Sequence, residues 1–246
     1  MPSLQAHLVL LSARLPGRVR WSLPKALAAF SGALVLGAGA QTVTPIATTG
    51  YNFDAVAEST TATASTTTTA PLDGSDYVLF SQAYSAARGV PSLGLPDSGL
   101  LVHGANSYQL QPYTGFNALR VAAAATGTLT LATPTTLATA RLIGFATEGT
   151  QTVNLQLNFQ DGSFASYNGV TLRDWFNGAS AVASGFGRAG RTGDVITNPA
   201  GNPRIYSLEM AVACTDQTKP ITSIAITSTA SAGHSSTQRI QKSHFS

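Results

Sequence analysis

An all-β fold, a β-sandwich of jelly-roll type, follows from three observations. Apolar and polar residues alternate with a period of two in several short runs. Breakers separate those runs closely: Pro91, Gly94, Pro96, Pro112, Gly115, Pro134, Gly149, Pro199, Pro203 and Pro220. No window keeps a 3.6-residue apolar stripe over several turns. Alternation buries one face of a strand, and many short strands with frequent turns pack as two sheets.

The first element is a leader. Arg14, Arg18, Arg20 and Lys25 precede an apolar run, ALAAFSGALVLGAGA, which ends on the small residues Ala38-Gly39-Ala40. That is the order of a signal peptide, with cleavage expected between Ala40 and Gln41. The run is too short for a comfortable membrane span, so the mature chain is expected to have none. The stretch before Lys25, with Pro16 and Gly17, is long for the charged part of a signal peptide. A start codon read too far upstream would explain it.

A single β-sandwich domain is expected over residues 41–233. Its clearest signal is Leu155–Tyr167, where alternation runs on both sides of Asp161-Gly162, the dipeptide of a tight hairpin turn. Further strands are expected at Tyr77–Phe80, Ala118–Val121, Gly127–Ala132, Ala140–Ala146, Ile205–Ala213 and Ile221–Ser228. The threonine-rich STTATASTTTTA at 59–70 reads as an edge of the sandwich on β-propensity, with a surface loop as the alternative. Cys214, the only cysteine, excludes an intrachain disulfide and reads as a buried, inert thiol at the end of an apolar run.

Composition narrows the function classes. Hydrophobic residues make up 43% of the chain, too many for a disordered one, while charged residues are only 10%. The net charge of +3 points at first to nucleic acid. Yet four of the fourteen basic residues and none of the eleven acids precede residue 41, which leaves ten bases against eleven acids. No basic stripe remains to neutralise phosphates, so nucleic acid is not an expected partner. The sequence GFGRAG at 185–190 satisfies the dinucleotide-loop pattern, but RTGDVITNPAGNPRIY follows it. Two prolines and two glycines cannot open the helix that a pyrophosphate needs. The glycines are expected to serve an ordered crossover.

Several pieces occur in a fixed order: GYNFDAVAE (50–58), GSDYVLFSQAY (74–84), LPDSGLL (95–101), QLQPYTGFNALRV (109–121), GTLTLATP (127–134), DWFNG (174–178), GFGR (185–188) and NPAGNPRIYSLEMAV (198–212). Together they resemble a galactose-binding-like β-sandwich module of proteins exported by the bacterial type IX secretion system. The resemblance covers residues 50 to about 233. It implies an extracellular or cell-surface, non-catalytic module, often the N-terminal part of a larger surface protein, and it fixes no ligand. The chain departs from the pattern at 234–246, HSSTQRIQKSHFS, a polar tail without a strand pattern where an apolar closing strand is expected. A frameshift or truncation of a longer gene would produce such a tail.

Catalysis finds little support. There is no G-x-S-x-G, and His103, His234 and His244 are the histidines after the leader. Of the acids, most sit in turn text, and nothing pairs Glu58, Glu148, Asp174 and Glu209 as a glycosidase requires. A structural calcium ion would find its nearest ligands in Asp73 and Asp76, which an Asp-Gly turn explains as well. No other cofactor is expected. An extracellular polysaccharide or other surface polymer would be bound by aromatic faces together with amide and guanidinium groups. Trp175, Asp174, Asn177, Arg188, Tyr113, Asn117 and Arg204 are the candidates. Against this stands an anchoring role, in which Trp175 and Phe176 fasten a long loop to the core and Arg188 or Arg204 pairs with Asp174. An exposed Trp175 would favour a carbohydrate-binding module, a buried one a structural or adhesive spacer.

Overall fold

A computed structural model of the protein describes residues 44–104 and 106–230. It also gives the backbone of four short strands, Gln5–His7, Ser12–Ala13, Thr237–Gln241 and Ser243–His244. The rest of the leader and of the tail lies outside the described residues, and with it the signal peptide and its cleavage point.

The chain is all-β. One sheet of five antiparallel strands runs in the order Phe164–Leu172, Gln151–Phe159, Ile221–Ser228, Thr126–Thr135 and Thr48–Thr49. A second sheet runs from Ala183–Ser184 through Arg204–Ala211 and Thr139–Thr147 to Ala118–Ala122, with Gln5–His7 and Thr237–Gln241 between the last two. Two small sheets complete it. In one, Ile196–Thr197, Arg188–Gly190, Tyr77–Phe80 and Val56–Ala57 are neighbours, and in the other Leu100–His103 pairs with Asn106–Leu110, which also pairs with Ser243–His244.

The sequence pattern explains the large sheets. Gln151, Val153, Leu155, Leu157 and Phe159 are buried while the residues between them are not, so one face of that strand meets the core. At the hairpin tip Gly162 takes φ 83°, and Asp161 Oδ1 accepts the Ser163 N–H at 2.9 Å. Thr139–Thr147 differs, being buried continuously from Leu142 to Thr147. Alternate residues point to opposite faces, so this strand is covered on both. Phe145 stacks on Trp175, and Thr147 Oγ1 donates to Leu72 O. The segment at Leu72, whose N–H donates to Tyr77 O, and the loop after Leu172 therefore reach one face of a strand whose neighbours form the second large sheet. Buried residues of all four sheets belong to one hydrophobic cluster.

Three expectations change. The threonine-rich 59–70 segment forms a short helix, Ala64–Thr67, rather than a sheet edge. Long-range contacts fix it: Asp194 Oδ1 accepts the Ala64 N–H at 2.7 Å, Arg88 donates to Ala62 O, and Arg191 donates to Ser65 O and Thr68 O. Cys214 is exposed, not buried. The strand ends at Ala211, and the chain turns away after Val212 with Asp216 N and Gln217 N both donating to Ala213 O. Arg188–Gly190 is itself a strand, paired with Tyr77–Phe80 and Ile196–Thr197, and no helix follows it. In the polar tail the backbone of Thr237–Gln241 lies antiparallel to Ala118–Ala122, a pairing that main-chain groups make whatever the side chains. No described helix is long and apolar enough to cross a membrane.

Candidate functional site: the loop of residues 174–178

The chain leaves Phe164–Leu172 and turns through Asp174-Trp175-Phe176-Asn177-Gly178. Asp174 sets the turn. Its Oδ1 accepts the Phe176 N–H at 2.8 Å and its Oδ2 the Gly149 N–H at 2.6 Å. Burial raises the Asp174 carboxyl above its usual range, opposed by those two backbone donors. Trp175 is 3% exposed. Its ring stacks on Phe145 at 5.5 Å between centroids and 10° between planes, and meets Phe176 edge-on at 5.7 Å. Its main chain joins two strands, since Trp175 N donates to Ala146 O and Arg204 N donates to Trp175 O. So enclosed, the Trp175 ring sits in the core, the arrangement of the anchoring alternative.

The neighbouring candidates fasten the same loop. Asn177, at φ 61°, donates its N–H to Asn202 Oδ1 at 2.9 Å and accepts from Asn202 Nδ2 at 3.1 Å. Arg204 does not pair with Asp174. Its Nη1 donates to Gly178 O at 2.6 Å and its Nε to Gly201 O and Asn202 Oδ1. Tyr206 donates its hydroxyl to Asp174 O at 2.8 Å, and a Cβ at Gly178 would overlap that tyrosine, so glycine is required there. Arg188 also avoids Asp174. Its guanidinium lies 3.5 Å from the Tyr77 ring centroid, 4.7 Å from that of Phe176 and 3.5 Å from Asp73 Oδ2. Stacking and charge pairing together hold the Arg188 strand against the loop.

The carboxylates of Asp73 and Asp76 are engaged by backbone donors, Asp73 within its own turn and Asp76 across to Thr192. Asp73 Oδ1 accepts the N–H groups of Ser75 and Tyr77, while its other oxygen faces the cationic Arg188. Asp76 Oδ2 accepts the Thr192 N–H at 2.8 Å. Among the described residues no three His, Cys, Asp or Glu side chains gather as a metal site.

Tyr113 and Asn117 lie elsewhere. Asn117 is 1% exposed and closes a turn: Oδ1 accepts the Ala55 N–H at 2.9 Å, and Nδ2 donates to Asp54 Oδ1 at 2.6 Å and Tyr113 O at 2.9 Å. All of these bonds are within the protein, which makes Asn117 a structural hub. Tyr113 is buried and donates its hydroxyl to Pro96 O, and its remaining surface lines a cleft with Asp97, Gln109 and Gln111.

Sequence reasoning passed over three groups. Asp194, taken as a turn acid, accepts Ala64 N–H and Tyr84 Oη–H at 2.7 Å and pairs with Arg88 at 3.0 Å. Burial pushes its carboxyl up, but these partners outweigh it and hold it below the usual range. Arg173, directly before the loop, is exposed and donates to Ala179 O at 3.2 Å. Asp54 sits in an apolar run, which is the signal that could have found it. Burial pushes its carboxyl up to about 7, against the Asn117 hydrogen bond and with the help of the Glu58 charge.

The Asp54 shift gives a pH prediction. With an unfolded value near 3.8 and a folded value of about 7, the folded chain keeps a proton that the unfolded chain releases. Stability therefore falls as pH rises between those values and levels off above them. Asp54→Asn should flatten that slope in urea melts run from pH 4 to 8, and an unchanged slope would refute the assignment.

Glu148 and Glu209, which nothing in the sequence paired, find separate partners, while Glu58 Oε2 is buried without one among the described residues. Glu209 pairs with Arg141 at 2.7 Å, Glu148 accepts the Gly74 N–H at 2.8 Å, and His103 is exposed on an edge strand. Compared with protein-family models, curated proteins and solved structures, the chain matches none.

Proposed function

We propose that this chain is an exported, non-catalytic module of jelly-roll, galactose-binding-like type that serves as a structural or adhesive unit of a larger surface protein. One observation carries the reading: Trp175 is buried against Phe145 in a loop that Asp174, Arg204 and Tyr206 fasten to the protein. The all-β architecture with two large sheets around a shared core supports it. So do the leader and the ordered motifs that resemble the type IX secretion module. Architecture alone does not carry a function, and the burial of Trp175 is what separates this reading from that of a lectin with a tryptophan platform.

The test is a panel of neutral polysaccharides, with and without calcium, against the full chain and Trp175→Phe. The expected result is no saturable binding that depends on Trp175 and no sugar released. Saturable binding abolished in a folded Trp175→Phe protein would sink the proposal.

A further inference from the structure

Among the described residues, clefts of differing chemistry open at the surface. One takes apolar side chains from Leu95, Leu100, Val102, Val182 and Phe186 but exposes main-chain polar groups as well, and nothing in the structure says what covers it. Another, of about 490 Å³, is lined by Asp97, Ser98, Gln109, Gln111 and Tyr113 and contains no cation. A third, of about 360 Å³, lies on the outer side of the 174–178 loop. Thr150, Thr171, Arg173, Asp174, Phe176 and Asn177 line it.

This third cleft has a surplus of donors. Arg173 spends one N–H on Ala179 O, leaving the other edge of a five-donor fork unpaired. Asn177 uses its main-chain N–H and its Oδ1 on Asn202, so both hydrogens of its Nδ2 remain. Thr150 Oγ1 accepts from Asp174 N and keeps its own hydrogen to donate. The one carboxylate in the lining, Asp174, already has both oxygens on backbone N–H groups. A ligand that fits must therefore bring acceptors. The Phe176 ring adds an apolar wall, half-buried and held from behind by Trp175 and Arg188. The volume is at the small end of the ~300–1,000 Å³ of ligand sites, enough for one sugar ring rather than a long segment.

We propose that the cleft of Arg173, Phe176 and Asn177 binds a carboxylate-bearing sugar, a uronic acid residue of an extracellular polysaccharide. The planar guanidinium takes the planar carboxylate through two parallel hydrogen bonds, the Asn177 amide takes a neighbouring hydroxyl, and the Phe176 ring meets a C–H face. The loop is already held by Trp175, Asn202, Arg204 and Tyr206, so little ordering opposes binding. This rests on the reading of the chain as an extracellular module and names the polymer to which it adheres.

The test is retention of the full chain on immobilised polygalacturonate, dextran sulfate and neutral dextran. Polygalacturonate is expected to retain the chain at low salt, less so as salt rises. Arg173→Gln should weaken retention tenfold or more without changing the melting temperature, and Arg173→Lys should recover only part of it. Asn177→Gly keeps the positive φ and should weaken it several-fold. No retention on polygalacturonate, retention unaffected by Arg173→Gln, retention on dextran sulfate alone, or equal retention on dextran overturns the cleft assignment. These outcomes leave the structural reading of Trp175 standing, because that reading fails only on binding that depends on Trp175.

Discussion

Trp175→Ala is expected to destabilise the protein by about 3–5 kcal/mol, the cost of deleting a large buried aromatic ring. The ring is 3% exposed and has aromatic partners on two sides, Phe145 and Phe176. Phe145 lies on the strand Thr139–Thr147, while Phe176 forms the wall over which Arg188 stacks. An empty site would thus loosen both the loop and the small sheet behind it. A domain of ordinary stability, about 5–15 kcal/mol, keeps little margin after such a loss. Urea melts at fixed pH measure it. Trp175→Phe retains a ring over Phe145 and should cost clearly less. A loss below about 1 kcal/mol for Trp175→Ala would mean that the site collapses freely or that the ring is not enclosed.

Asn117→Ala is expected to cost about 2–4 kcal/mol, a comparable effect by a different mechanism. Deleting the amide orphans the Ala55 N–H in a site that is 1% exposed. It also removes the donor to Asp54 Oδ1 and the two bonds to Tyr113 O and Gly115 O. A buried group left without its partner costs about 1–3 kcal/mol, and several are affected at once. The same melts measure it. If Asn117 were a ligand contact, the alanine variant would instead fold normally and lose only binding, so the two roles give opposite results.

Strands with one face toward the core were legible from their alternation: Ile221–Ser228 occurs as read, and the hairpin about Asp161-Gly162 turns where its dipeptide indicates. Tyr77–Phe80 also occurs as read, but the other short strands of its sheet were hidden for a physical reason. Strands such as Val56–Ala57 and Ile196–Thr197 are too short to show a period. The threonine run misled because propensity is local, while its helix is fixed by Asp194 and Arg191, more than a hundred residues away. Cys214 misled by adjacency, since an apolar run says nothing about where its strand stops.

The loop shows the same limit at the site. Its residue types, acid, aromatic and amide, were visible in DWFN, and the anchoring alternative was open from the start. What decides between platform and anchor is the position of Phe145, thirty residues earlier, and of Tyr206 and Arg204 after it. Those are tertiary facts. The same packing leaves Arg173 facing outward, though it attracts no notice beside a tryptophan.

The most direct test of the inward loop is solvent access to Trp175 itself. The chain has one other tryptophan, Trp21, so Trp21→Phe isolates the signal. In that background the structure predicts a blue-shifted emission that iodide and acrylamide barely quench until the protein is unfolded by urea. Emission at the wavelength of free tryptophan, quenched freely in the folded protein, would contradict it and return Trp175 to the surface.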